Sequence, residues 1–279
     1  MTITSITDHG TTRDGLIQLR RRWSPTGDAR AAVLLVHGLG EHSGRYEHVG
    51  GHLAAAGFEV ISLDNRGFGG SGGKRAFVES FSQFQDDVED QLAEVRTLGL
   101  PTVLLGHSLG ALISTGYCVG GRPLPDALVV TGPPLGYELK GPDKALKVVG
   151  PLIRRFHPGY EVRDDWDATV FAEDISVGET FLLDPLRTDF MTISLALETI
   201  GEIERVQDAV AGLDLPTWVG HGGVDKIVPV WASEPFEQVE SAVRTVYDGL
   251  GHEILNEPVG LDIVDDMIAW IEATLSIPA

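Results

Sequence analysis

Uninterrupted apolar runs alternate with helical periodicity along the first half of the chain. The runs predict parallel strands covered on both faces at 31–36, 58–63, 103–105 and 127–131. Between them, residues 46–56 and 81–95 repeat apolar side chains every three or four positions, which is typical of amphipathic helices. Strand–helix–strand order of this kind predicts parallel crossovers and a doubly wound α/β sheet.

The regular alternation stops after residue 135 and resumes near residue 212. Residues 136–211 contain helical pieces near 144–155 and 189–206 but no buried strand, so we expect a helical cap (lid) inserted into a core formed by residues 1–135 and 212–279. The second core segment predicts a strand at 215–219, a helix around 232–243, a strand at 244–247 and a final helix. Loose alternation over residues 2–23 predicts one or two antiparallel edge strands.

Candidate chemistry centres on the stretch TVLLGHSLGALIS, residues 102–114. A buried strand, a Gly-His-Ser-Leu-Gly turn and an apolar helix predict a nucleophile elbow that lifts the hydroxyl of Ser108 above the sheet edge. Gly106 and Gly110 let strand and helix approach closely. The helix that begins at Leu109 directs free N–H groups at the same place.

A serine nucleophile needs a histidine base, and that histidine needs a carboxylate to orient it. His252 follows the predicted strand 244–247 through a glycine-bearing loop and is the best base. Asp225 follows the strand 215–219 and is the best acid, with Asp248 as the next candidate. Asp214 precedes that strand and would lie at its far end, away from His252. The order Ser, Asp, His is that of the α/β-hydrolases.

Other histidines have simpler interpretations. We expect His37 to shape its loop, and the side chain of His107 to point away from its neighbour Ser108. His221 comes too early in the chain to be the base. His48 and His52 have a spacing that two metal ligands could use, but no third ligand matches, so no metal site is predicted.

Two backbone donors for an oxyanion follow from the same geometry. One is the N–H of Leu109, directly after the nucleophile. The other lies in the loop His37-Gly38-Leu39-Gly40 after the first buried strand, where Leu39 is the best candidate.

Composition narrows the class of partner. The net charge of −20 argues against nucleic acid, whose phosphates need clustered cations. A single cysteine, Cys118, permits no internal disulfide, and the N-terminal residues lack the pattern of a signal peptide. No apolar stretch approaches the length of a membrane span, so a cytoplasmic location is expected.

Five segments together resemble the monoacylglycerol lipase and lysophospholipase branch of the serine α/β-hydrolases. They are HGLGEHSGRYEHV from His37, DNRGFGGSGG from Asp64, GHSLG from Gly106, GHGGVDKIV from Gly220 and GHEILNEP from Gly251. The resemblance implies the α/β-hydrolase fold, a triad of Ser108, Asp225 and His252, oxyanion donors at Leu39 and Leu109, and no cofactor. Phe68 departs from the branch, whose members often have histidine there.

The resemblance also implies a monoacylglycerol ester as substrate, cleaved to glycerol and fatty acid through an acyl-enzyme. Glu41 and Arg45 match positions that shape the polar, glycerol-side end of the pocket, and a structural salt bridge is the alternative role for them. A lysophospholipase or a general carboxylesterase is the nearest alternative function. A non-catalytic binding protein on the same fold is the alternative from another class.

The predicted cap carries a local excess of positive charge. Residues 140–163 contain six cations and two acids among apolar residues. Such a segment suits transient contact with a membrane or micelle surface, and a solvated face of a packed cap helix is the alternative. A peripheral location at membranes is therefore a further expectation.

Overall fold

An eight-stranded sheet, mostly parallel, forms the centre of the molecule. The computed structural model describes residues 3–136 and 141–277, without the side chains of residues 141–143 and 145. Six of its strands are parallel: β3 (Ala31–Val36), β4 (Phe58–Leu63), β5 (Thr102–His107), β6 (Ala127–Thr131), β9 (Thr217–Gly222) and β10 (Ala242–Tyr247). They lie in the sheet in the order β4-β3-β5-β6-β9-β10.

Two antiparallel strands extend one edge of this sheet, as the sequence predicts. β1 (Ile6–Thr11) pairs with β2 (Ile17–Trp23), and β2 pairs antiparallel with β4. The prediction of a mostly parallel α/β-hydrolase sheet with antiparallel N-terminal strands is confirmed.

Helices cover both faces of the sheet, which explains why β3, β4, β5, β6 and β9 are buried along their whole length. In β3, alternate side chains belong to two separate hydrophobic clusters. One cluster joins the sheet to α2 (Ser82–Arg96) and α3 (Leu109–Cys118), and the other joins it to α1 (Glu47–Ala55) and α7 (Gly260–Leu275). Cys118 is a buried free thiol within the first cluster.

The chain leaves the sheet after β6 and returns at β9. Within the described residues it forms α4 (Gly141–Phe156), β7 (Glu161–Arg163), α5 (Ile175–Leu183), β8 (Phe190–Thr192) and α6 (Ile193–Ala209). The strand pair β7–β8 and helix α5 were not predicted, since strands of three residues leave too little alternation to detect. α6 begins later than residue 189 because Thr192 caps it, its hydroxyl accepting from Leu195 N.

One predicted helix is wrong. Residues 232–243 do not form an α-helix. A 3₁₀ helix covers Val230–Gln238, and β10 already begins at Ala242. Pro235 lies inside this segment and cannot donate the backbone hydrogen bond that an α-helix needs there. In β10, Val243, Thr245 and Val246 are β-branched and favour the strand.

Candidate active site

A strained turn presents Ser108 at the carboxyl end of β5. Its φ of 52° and ψ of −115° lie in a region that side chains other than glycine rarely adopt. The residue forms the N-cap position of α3, and its N–H donates to Thr131 O at 2.9 Å. A Cβ at Gly110 would overlap the carbonyl oxygen of Val36, so the elbow closes only with glycine there. Backbone strain held by neighbouring strands is typical of functional turns.

Three side chains from separate loops meet at this turn. Ser108 Oγ lies 2.9 Å from His252 Nε2, and His252 Nδ1 lies 2.6 Å from Asp225 Oδ2. Because an ionised carboxylate only accepts, Nδ1 carries the hydrogen and Nε2 accepts from the serine hydroxyl. The structure thus brings together the residues predicted as nucleophile, base and acid.

Asp225 is held as an anion by its surroundings. Its carboxylate is fully buried, and Oδ1 accepts from the N–H groups of Ile227 and Val228, both at 2.8 Å. Burial alone would raise the pKa of Asp225, but His252, His221 and the N–H of Val228 hold it well below its usual range. His221 Nε2 lies 3.3 Å from Oδ2, so this histidine supports the acid and takes no part as a base.

His252 is buried beside several carboxylates. Burial lowers the pKa of His252, but the charges of Asp225, Glu253 and Glu41 outweigh burial, and its pKa is raised above the usual value. The next acid candidate, Asp248, is exposed at the end of β10. The hydrogen bond of His252 goes to Asp225.

His107 corrects one expectation. Its side chain does not point away: the ring lies 4.9 Å from that of His252, centroid to centroid, and lines the same cavity. Its Nδ1 lies 2.9 Å from Thr131 Oγ1. His107 and Thr131 are paired at the carboxyl ends of β5 and β6, so their side chains lie next to each other on one face of the sheet.

His37, His48 and His52 have structural partners. His37 Nε2 accepts from Asn65 N at 2.8 Å, which ties the loop after β3 to the loop after β4. His48 contacts Leu255 O at 2.8 Å and His52 contacts Asp265 Oδ1 at 2.6 Å, so the two do not share a partner.

Two residues that line the cavity have backbone N–H groups without an acceptor in the described part of the chain. Leu109 is the first residue of α3, so its N–H has no acceptor within the helix. Leu39 lies in the loop after β3, and its N–H is likewise unpaired among the described residues. Both residues line the cavity that contains Ser108. This is the arrangement that an oxyanion hole requires.

Glu41 and Arg45 form a buried ion pair. Arg45 Nη1 lies 2.9 Å from Glu41 Oε2 and 3.2 Å from Glu253 Oε1. Glu41 Oε1 also accepts from Gly38 N at 2.5 Å and from Tyr46 Oη at 2.7 Å. The structural salt bridge is therefore present, and its carboxylates still face the cavity, since Glu41 and Glu253 line it.

A cavity of about 420 Å³ opens above Ser108. Its floor is the elbow, and its walls are largely apolar side chains of residues 134–228, including Leu146, Trp166, Phe171, Phe181, Met191 and Ile203. Phe171 contacts both Trp166 and Phe181 through its ring. Apolar walls with a few convergent polar groups are typical of a small-molecule site.

Two glutamates after His252 were not predicted as residues of the site. Glu253 lines the cavity, and its N–H donates to Phe171 O at 2.8 Å. Glu257 accepts from the N–H groups of Gly251, Glu173 and Asp174 at 2.7 to 3.2 Å. The only signal was the run of acids in HEILNE, which gives no sign that both carboxylates are buried.

Comparison with known proteins places the chain in a family. Residues 27–259 match the family described as "Serine aminopeptidase, S33". A monoacylglycerol lipase of Mycolicibacterium smegmatis is 34% identical over 91% of this chain and 92% of its own. Phospholipase YtpA of Bacillus subtilis is 28% identical over 86% and 95%. The crystal structure of Paleococcus ferrophilus monoacylglycerol lipase superposes with a TM-score of 0.82 at 27% identity, covering 91% of this chain and 98% of that one.

The matched region includes the elbow, the loop after β3, and both loops that carry Asp225 and His252. It also spans the segment between β6 and β9, so the similarity is not restricted to the sheet. The chain therefore belongs to the serine aminopeptidase S33 family of the α/β-hydrolases, in the branch that holds the monoacylglycerol lipases, and is a hydrolase.

Proposed function

We propose that the protein hydrolyses the carboxylic ester of monoacylglycerols, with Ser108 as nucleophile, His252 as base and Asp225 as acid. The observation that carries the proposal is the hydrogen-bonded chain from Ser108 Oγ through His252 to Asp225 at the floor of a largely apolar cavity. An alkyl chain suits those walls, and a hydroxyl-bearing head group suits the polar residues beside His252.

The reaction follows from the geometry. His252 Nε2 takes the proton of Ser108 as Oγ attacks the ester carbonyl, and Asp225 stabilises the imidazolium that forms. The N–H groups of Leu39 and Leu109 donate to the oxyanion. His252 then protonates the departing glycerol oxygen, and the same residue activates the water that releases the fatty acid. Each step uses only residues of this chain, so no cofactor is invoked.

A substrate panel tests the proposal. We expect the highest kcat/KM on monoacylglycerols, measured against lysophospholipids, diacylglycerols and triacylglycerols of the same acyl chain. An aminoacyl p-nitroanilide belongs in the panel because the description of the matched family names an aminopeptidase. Preferential cleavage of the anilide or of the triacylglycerol would contradict the proposal.

A lysophospholipid is the second candidate substrate. A phospholipase is among the relatives, and it covers most of this chain. The same apolar walls accept the acyl chain of either lipid, so the choice depends on the head group alone.

We further propose that residues 136–211 act as a cap whose outer face meets the lipid surface. Leu152 and Phe156 of α4 are 64% and 66% exposed, and Val148 one turn earlier is 79% exposed, so they form an outward apolar stripe. Leu146 on the same helix lines the cavity. In the part of the chain that the structure describes, no helix is long and apolar enough to cross a membrane.

The cations of residues 140–163 support contact with a lipid surface less than the sequence suggests, because several of them are paired with acids. Lys147 pairs with Glu204, and Arg154 pairs with Glu198 at 2.6 Å. Arg163 pairs with Asp189, and Lys140 lies outside the described residues. The apolar stripe is therefore the stronger support for surface contact.

A double variant tests this surface. Leu152→Ser with Phe156→Ser should lower binding to vesicles by about a thousand-fold, because burial of each side chain in lipid contributes about 2 kcal/mol and about 1.4 kcal/mol is tenfold in affinity. Vesicle co-sedimentation and KM on micellar substrate measure the effect. Ile6→Ser with Ile17→Ser, on the edge strands, is the matched control, since both residues are exposed outside the cap. Equal binding by the two double variants would contradict surface contact through α4.

A further inference from the structure

One side of the cavity is polar and lies against His252. Its members are His107, Glu41 and Glu253, which we call the polar recess. The ring of His107 contacts that of His252, and Glu253 follows His252 in the chain. Under the proposed mechanism, His252 protonates the leaving oxygen, so the departing alcohol lies on this side. The recess is therefore placed to contact the head group and not the acyl chain.

The recess contains a buried polar atom without a partner. In the part of the chain that the structure describes, His107 Nε2 has no hydrogen-bond partner, while Nδ1 lies 2.9 Å from Thr131 Oγ1. Glu253 Oε1 is 3.9 Å from Nε2, which is too long for a hydrogen bond. A hydroxyl that entered between them, about 2.8 Å from each atom, would donate to the carboxylate and accept from Nε2–H. Buried polar atoms are normally paired, so the gap suits an alcohol.

The recess also carries an excess of negative charge. Two carboxylates, Glu41 and Glu253, share the single guanidinium of Arg45. Burial lowers the pKa of His107 to about 4, so this ring adds no positive charge at neutral pH. Lys226 also lines the cavity, but its side chain is half exposed and its ammonium donates to Thr169 O and to the carboxylate of Glu173. A phosphate brought into the recess would face the carboxylates at low dielectric.

We propose that Glu253 and His107 bind an uncharged, hydroxyl-bearing head group, and that Glu253 rejects a phosphate-bearing one. Glu253 is then a specificity-determining residue that separates monoacylglycerols from lysophospholipids. This inference rests on the proposed ester hydrolysis at Ser108 and adds the head-group class. Glu253 accepts from Asn256 Nδ2 at Oε2 and from Arg45 Nη1 at Oε1, one donor at each oxygen. Glu41 is less free to take this part, because its Oε1 accepts from both Gly38 N and Tyr46 Oη and its Oε2 from Arg45 Nη1.

The test compares three esters of one short acyl chain, each kept monomeric so that surface binding plays no part. They are the monoacylglycerol, the acylglycerol phosphate (lysophosphatidate) and the methyl ester, which has no head group. In Glu253→Gln, the ratio of kcat/KM for the monoacylglycerol to that for the lysophosphatidate should fall at least tenfold. KM for the monoacylglycerol should rise, while the methyl ester sets the baseline for any general loss.

Glu257→Gln is the matched control. Glu257 is buried on the same loop, but its carboxylate binds backbone N–H groups and, among the described residues, is not part of the cavity wall. This variant should slow all three esters by a similar factor and leave the head-group ratio unchanged. Glu253→Asp keeps the charge but shortens the side chain, so it should weaken monoacylglycerol binding without admitting lysophosphatidate.

Two results would overturn the inference. A ratio that stays within twofold of the wild type in folded Glu253→Gln, verified by its Tm, removes Glu253 from head-group selection. Equal gains on lysophosphatidate in the Gln and Asp variants would show that space, and not charge, is responsible. If the wild type cleaves neither the monoacylglycerol nor the methyl ester, the proposed function fails first, which is a separate outcome.

Discussion

Replacing Ser108 by alanine should lower kcat on a monoacylglycerol by about a million-fold, because loss of the nucleophile removes the covalent pathway altogether. The change deletes one oxygen atom at a turn whose shape is set by neighbouring backbone, so the fold should persist. Hydrolysis of a p-nitrophenyl ester and labelling by a fluorophosphonate measure the effect. Both signals should disappear together.

Ser114→Ala is the matched control for this variant. Ser114 is a buried serine of α3, six positions along, and its hydroxyl has no partner in the described part of the chain. Activity and labelling should stay within about twofold of the wild type. Residual labelling of Ser108→Ala at the wild-type rate would show that another residue is the nucleophile.

Replacing Asp225 by asparagine should lower kcat by about ten-thousand-fold. The amide can donate toward His252 Nδ1, which favours the tautomer with hydrogen on Nε2, and that tautomer cannot accept the proton of Ser108. Steady-state kinetics on the same ester measure the loss. Asp248→Asn is the control, since Asp248 is exposed and lies outside this hydrogen-bonded chain. An equal loss in both variants would remove Asp225 from its assigned role.

The pH dependence of activity is a second measurement of how Asp225 acts on His252. His252 must be neutral to act as base, and its pKa is raised by Asp225, Glu253 and Glu41 despite burial. Activity should therefore be complete above that raised pKa and fall as the pH drops through it. In Asp225→Asn the charge that raises the pKa most is gone, so the acid limb of the residual activity should move to lower pH. An unmoved limb would show that another group titrates there.

Much of the core could be predicted because its signals are local. β3 and β4 are each six buried residues in a row, and the elbow is a contiguous motif. Ser108, Asp225 and His252 each follow a predicted strand, and parallel strands bring their carboxyl ends to one edge. The place of Asp225, in the loop after the strand that precedes the histidine strand, then favoured it over Asp248, since both aspartates lie between Ser108 and His252 in the chain.

The rest depends on packing between distant segments. The orientation of His107 could not be predicted, because it depends on Thr131 and His252 from neighbouring strands and loops. The α-helix expected at 232–243 does not form, because Pro235 removes a backbone donor that an α-helix would need there. The burial of Glu253 and Glu257 follows only from partners far away in the chain, such as Arg45 and Glu173.

Glu257 has a consequence for how this enzyme can diversify. Its carboxylate and the Glu253 N–H join residues 171–174 to the loop that presents His252, so the apolar wall of the cavity and the proposed base form one unit. Gly251 packs so closely on Ala172 that a side chain there would collide with it. Residues 136–211 are consequently not an interchangeable module. We expect a segment from a relative, grafted in place of residues 136–211, to hold His252 in position only if residues 251–257 are transferred with it, so that substrate selectivity and rate change together.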